Sequence, residues 1–170
     1  MLRRAVLFGA APAVAGTRPP KREEAAFLLQ FRLRETPAEV RRKMGPPDRI
    51  AGFGAGLVSW QYHVGQEDHH DFSHAFCFRE SESALISVTR NTEEPETVDS
   101  LFPPKETFTQ RHPETGWPVR VRRMSGGRIL VAAGVAGPGQ PTTQLIYIRE
   151  SETRIFLPWL TVYPKASGIL

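Results

Sequence analysis

From residue 57 onward the chain is a succession of short segments in which apolar and polar side chains alternate, each closed by turn-forming residues. A period of two puts every second side chain on the same face of a strand, so such a chain must fold around a sheet. In 57–64, Val58, Trp60, Tyr62 and Val64 alternate with Ser59, Gln61 and His63. In 72–79, Phe72, Phe76 and Phe78 share a face with His74. In 84–90, Ile86 and Val88 alternate with Leu85, Ser87 and Thr89. The link Glu80-Ser81-Glu82-Ser83 is short enough for a hairpin. Further strands are predicted over 118–124, 128–135, 142–149 and 154–160, and a short one where Phe31 and Leu33 flank Arg32. The stretch 128–135 is apolar on both faces, which predicts a central, doubly covered strand. Residues 91–97 read as an acidic linker, and 101–116, with Pro103, Pro104 and Pro113, as irregular.

One segment breaks this pattern. Thr36-Pro37-Ala38-Glu39 is a helix start: Thr36 caps, Pro37 suits the first turn, and Glu39 closes a capping box. Val40 and Met44 then share a face, and Arg41, Arg42 and Lys43 sit where the helix dipole favours positive charge. Gly45 ends the helix and Pro46-Pro47 prevents its restart. The expectation is an α+β fold, with one short helix packed on an antiparallel sheet of about seven strands. Arg79-Glu80-Ser81-Glu82 recurs as Arg149-Glu150-Ser151-Glu152, each time after an apolar strand. The recurrence fits two degenerate meander repeats; coincidence is the alternative, because Glu and Ser are common in turns.

The chain opens Met1-Leu2-Arg3-Arg4, followed over 5–14 by almost wholly apolar or small residues, and Ala13-Val14-Ala15 precedes Gly16. A basic start, an apolar run and a small-residue exit have the shape of a secretory signal. The run is too short to span a bilayer. The domain reading is therefore a signal peptide over 1–15, a linker over 16–24, a helix with a three-stranded meander over 25–94, and a β-rich extension over 95–170. Export to the periplasm is the expectation, with a cytoplasmic protein as the alternative. Of 22 basic residues, Arg3 and Arg4 belong to this leader, which leaves 20 against 18 acidic ones. So slight an excess gives no reason to expect nucleic acid as a partner. One cysteine, Cys77, permits no disulfide within the chain, and its place between Phe76 and Phe78 reads as a buried, inert thiol.

The run from Glu35 through the helix to Gly45-Pro46-Pro47-Asp48, followed by Trp60-Gln61-Tyr62, resembles the SmpA/OmlA (BamE-like) domain over about residues 31–90. That domain opens with a T-x-x-E-V helix, a Gly-x-Pro stop and a strand carrying W-x-Y. The resemblance implies a β-lactamase-inhibitor-protein-like fold in the bacterial envelope that binds other proteins and performs no chemistry. Its implied partner is another envelope protein, with no transmembrane segment in this chain.

No catalytic signature is present: there is no G-x-S-x-G, no Gly-rich phosphate loop and no H-E-x-x-H. No catalytic residue, cofactor or metal ligand is assigned. Four of the five histidines, His63, His69, His70 and His74, fall within twelve residues, with Glu67, Asp68 and Asp71 among them. The alternative function, a metal-binding or enzymatic protein, would use His69-His70-Asp71, but these lack the helical spacing that aims two ligands at one ion. The candidate partner surface comprises Gln66, Asp68, His69 and His70 at a hairpin tip, and Arg120 and Arg122 on a solvent-facing sheet. Lys105, Arg111 and Arg123 could extend that basic patch.

Overall fold

The computed structural model describes residues 21, 24–62, 72–96, 98–134 and 142–161. Its centre is a single antiparallel sheet of eight strands. Strands β1 (Arg49–Gly54), β2 (Leu57–Tyr62), β3 (His74–Arg79) and β4 (Ala84–Glu96) form one meander. Strands β5 (Thr107–Arg111), β6 (Pro118–Met124), β7 (Arg128–Ala133) and β8 (Thr142–Arg149) form another. The last strand of each meander pairs with the other, giving the order β1-β2-β3-β4-β8-β7-β6-β5. The helical parts are small: a 3-10 helix at Ala25–Gln30, α1 (Pro37–Met44), α2 (Thr153–Phe156) and isolated 3-10 turns.

The molecule is thus mostly strand, which corrects the expected α+β architecture of one helix on about seven strands. Five local readings changed, each for a physical reason. Residues 49–54 form β1, although two glycines interrupt any alternation. An edge strand with almost wholly exposed side chains has no buried face to write into its sequence. Residues 107–111 form the other edge, β5, inside the stretch read as irregular. The presumed acidic linker continues β4, which reaches Glu96↔Thr142 past a register shift; Pro95 is tolerated at such an irregularity. Residues 154–160 are a turn of helix and a tight turn, not a strand. A short apolar run does not by its period distinguish the two. Likewise Phe31 and Leu33 follow a 3-10 helix, and both are buried without belonging to a strand.

Helix α1 forms as its sequence dictates. Thr36 Oγ1 accepts from the Glu39 N–H at 3.3 Å and Glu39 Oε2 accepts from the Thr36 N–H at 2.8 Å, a complete capping box. The Thr36 backbone N–H, and after it the Thr36 hydroxyl, which donates to Glu39 Oε2 at 3.1 Å, hold the Glu39 carboxyl below its ordinary range. Gly45 takes φ 84°, which a side-chain-bearing residue resists, and its carbonyl accepts from Tyr62 Oη at 3.1 Å. The helix stop is thereby fastened to β2.

Pairing register defines two faces. On one, a row runs Ile50, Trp60, Phe76, Val88, Tyr147, Leu130, Arg122 and Thr107 across all eight strands. Phe27, Leu28, Phe31, Val40 and Met44 cover the middle of this face, with Val98, Leu101 and Phe102 beside them, in the main core. On the other face the row runs Ala51, Ser59, Cys77, Ser87, Ile148, Ile129 and Arg123. Its apolar half, with Val119, Val121, Val131 and Ile146, is covered by Leu157 and Leu160 of the C-terminal strap. β7 lies between the two cores and is buried on both faces, as its unbroken apolar run required.

The two Arg-Glu-Ser-Glu copies form matching 3-10 turns at Glu80–Glu82 and Glu150–Glu152. The Glu80 N–H donates to Gly56 O at 2.9 Å, and the Glu150 N–H to Gly127 O at 2.8 Å. The likeness ends there. Ser83 turns left-handed, at φ 47°, into β4, whereas Thr153 stays helical and opens α2.

Candidate functional site

The loop that carries Gln66, Asp68, His69, His70 and Asp71 lies outside the described residues, as does His63. Among the described residues there is no group of three His, Cys, Asp or Glu side chains placed to hold a metal. His74 lies in the core, with Nδ1 3.1 Å from Ser73 Oγ and its ring edge-on to Phe27 at 5.6 Å. Cys77 faces the opposite side of the sheet, and burial pushes its thiol up to about 12. At neutral pH it carries no nucleophilic thiolate.

Arg120 and Arg122 are not the solvent-facing patch expected of them. Arg120 is only 3% exposed, donates from Nη1 to Asp99 Oδ1 and stacks on the Phe102 ring at 4.9 Å. Arg122 donates from Nε to Glu106 Oε2 at 2.8 Å and from Nη1 to Leu101 O at 3.0 Å. Together they clamp residues 98–106 across the sheet. The alternation that made them look exposed was read correctly, but both faces of β6 are covered. Val119 and Val121 meet the C-terminal strap, and the arginines meet the crossing segment. The apolar group Val98, Leu101 and Phe102 beside Asp99 was the signal for such a segment. Arg123 pairs with Glu150 at 3.2 Å on the opposite face, and Arg111 caps its own turn at Gly116 O. The expected basic patch therefore does not assemble.

Two surfaces that sequence reading missed are more informative. The first is the free edge of β1. Its outer neighbours in the sheet are absent among the described strands, and Ile50 and Phe53 are 60% and 59% exposed. The Phe53 ring meets Phe156 of α2 at 5.9 Å, beside exposed Ile155. Arg49 is the strand's single charge and it holds no proline, so the usual devices that blunt an edge are sparse here. A register shift between Gly52 and Gly54 is the one irregularity of the pair.

The second is a cleft of about 700 Å³ where residues 32–35, the start of α1, the β6–β7 turn and the end of β8 meet. Arg32, Arg34, Arg128 and Arg149 line it. Arg149 is a structural bolt: Nε donates to Leu33 O and Nη2 to Leu85 O, each at 3.1 Å, and Nη1 to Glu82 Oε2 at 2.9 Å. That bond holds the Glu82 carboxyl below its ordinary range. Glu35 accepts from Lys43 Nζ at 2.7 Å and from the Arg32 N–H at 2.9 Å. Arg128 is different, since its donors go to neutral oxygens: Ser125 O, Ser125 Oγ and Tyr147 Oη.

No family model matches the chain, and no curated protein matches it in sequence. The resemblance to the SmpA/OmlA domain is therefore corrected. Its helix and W-x-Y strand are real local structures. They are separated by an additional edge strand, β1, and stand in a sheet that continues through β3 to β8. A capped helix with a glycine stop is stable for local reasons, so it recurs in unrelated folds. Among solved structures, a cysteine-rich secretory protein from Staphylococcus aureus aligns with 9% identity and a TM-score of 0.43, covering 71% of this chain and 46% of that one. The chain thus spans about half the length of that protein. Among the described residues no helix is long and apolar enough to cross a membrane.

Proposed function

We propose that this chain is an exported protein of the bacterial envelope that works by binding another protein, not by catalysing a reaction. The observation that carries the binding reading is the open β1 edge with exposed Ile50 and Phe53. Unpaired backbone N–H and C=O groups along such an edge accept an extended segment of a partner as an added strand. Ile50 shares its face with the main core, whereas Phe53 reaches Phe156 on the opposite side, so an added strand would find an apolar side chain on each face. The export reading rests on residues 1–15, with their basic start, apolar run and Ala13-Val14-Ala15 exit.

The test is amide hydrogen exchange on the chain bound to a partner purified from envelope extract. Added protection should concentrate in residues 49–54, and Phe53→Arg with Ile50→Lys should abolish binding while leaving the fold intact. Protection confined to other strands, or full binding by the double variant, would refute the edge reading. For export, N-terminal sequencing of the native protein should begin near Gly16, and a start at Met1 in the cytoplasmic fraction would refute it.

A further inference from the structure

We infer that the arginine-lined cleft beside α1 is a second binding site, independent of the β1 edge, and that it takes a carboxylate-bearing peptide segment. Two charges on its wall have no carboxylate within ion-pair distance among the described residues. Arg128 gives its hydrogen bonds to Ser125 and Tyr147 oxygens, which leaves its full positive charge at the cleft wall. Arg34, an exposed lining residue, makes no ion pair within 4.0 Å among the described residues, and its charge reaches the Glu82 carboxylate only from beyond that distance. Every lining carboxylate is engaged through at least one oxygen, although Glu35 Oε2 is buried with no hydrogen-bond partner among the described residues. Glu35 meets Lys43 Nζ at 2.7 Å, Glu39 serves the α1 cap and lies 4.0 Å from Arg32, and Glu150 meets Arg123 at 3.2 Å.

Positive charge with no carboxylate in contact therefore sits at two points on the wall, beside lining carboxylates that keep their own negative charge. A guanidinium offers paired donors that match a carboxylate, and each of these arginines has donor hydrogens to spare. The volume, about 700 Å³, lies within the range of small-ligand and peptide pockets and far exceeds a single inorganic anion. The engaged carboxylates on the wall repel a uniformly anionic polymer such as a nucleic acid, whose charges would fall beside them. A peptide with one or two acidic side chains avoids that repulsion. Gly126 and Gly127, at φ 74° and 64°, form the tight turn that keeps the β6–β7 side of the cleft low and free of side-chain bulk.

The experiment is a fluorescence anisotropy titration of the full chain with a labelled, C-terminally amidated Gly-Glu-Gly-Glu-Gly peptide at about 50 mM salt, where the Debye length exceeds about 10 Å. Saturable binding is expected, falling at least about tenfold in Arg34→Gln/Arg128→Gln, the loss of two charge-assisted contacts. Arg34→Gln alone, at an exposed position whose side chain makes no hydrogen bond or close ion pair among the described residues, should weaken binding about two- to fivefold. It serves as the check if the double variant folds poorly. Arg154→Gln, exposed on α2 and away from the cleft, should bind like the parent. Absence of saturable binding, or equal loss in Arg154→Gln, would overturn the site. Displacement of the peptide by inorganic phosphate or by an oligonucleotide at lower concentration than by the same peptide unlabelled would overturn the peptide assignment.

Discussion

Replacing Arg149 with methionine should loosen the N-terminal cover from the sheet. In the native chain this guanidinium reaches Leu33 O and Leu85 O, while the Leu85 N–H donates to Glu35 O at 2.8 Å. The side chain is thus the knot between residues 33–35, β4 and β8. Methionine fills much of the same volume without donors. Two largely buried carbonyls then lose their partners, at about 1–3 kcal/mol each. The lost pair with half-exposed Glu82 adds less than about 1 kcal/mol. Allowing for some rehydration, the expected loss is about 2–4 kcal/mol, a large share of the roughly 5–15 kcal/mol typical of a folded domain. Urea unfolding followed by tryptophan fluorescence reads it as a lower midpoint with an unchanged slope. Hydrogen exchange should speed up first in residues 25–35, ahead of β7. Arg154→Met, on exposed α2, should stay within about 0.5 kcal/mol of the parent. A loss below about 1 kcal/mol for Arg149→Met, or exchange that rises evenly over the sheet, would refute the reasoning.

Other consequences can be measured on the same protein. Thr36→Ala should cost about 1 kcal/mol by removing the cap of α1. Because Glu39 is held below its ordinary range, its contribution is present above that range and fades as pH falls through the lowered value, so the penalty of Glu39→Gln should shrink in acid. Cys77 is held protonated to about 12, against 9.0 for a free thiol. Its contribution is complete below about 9 and is lost as pH rises from there towards 12, so Cys77→Ala should flatten the alkaline decline in stability; an unchanged decline would show that the thiol is not the cause. Arg120→Met should cost less than about 1 kcal/mol or even stabilise, since Nε and Nη2 are buried without hydrogen-bond partners among the described residues. Gly134→Ala should cost at least about 1–2 kcal/mol, because φ is 85° and the new methyl would collide with Thr143 Oγ1; thermal melting would reveal a smaller effect as an error in that turn.

Local chemistry was legible in the sequence wherever the cause of a structure is itself local. Thr36, Pro37 and Glu39 specify the start of α1 through hydrogen bonds three residues long, and Gly45 ends it by its own backbone freedom. The alternation of Trp60 and Tyr62 with Ser59 and Gln61 marks β2 as a strand, and the unbroken apolar run of β7 marks one covered on both faces; that Ser59 and Gln61 are buried as well was not legible. The edges were not legible. β1 and β5 are strands because a neighbour supplies half their hydrogen bonds, and nothing buried marks them in the chain. Nor could the sequence say that residues 98–106 lie across β6, which turns Arg120 from a surface charge into a buried clamp. The same limit hid the cleft, since Arg34 lies 94 positions before Arg128 and 115 before Arg149, and they meet only when β8 pairs beside β7 and the N-terminal segment folds over both. Pairing between distant strands costs chain entropy and is decided by total burial, not by any residue's neighbours. The sequence by itself therefore determined strands, turns and one helix, while the tertiary structure alone decided which charges stand unmatched at a common wall.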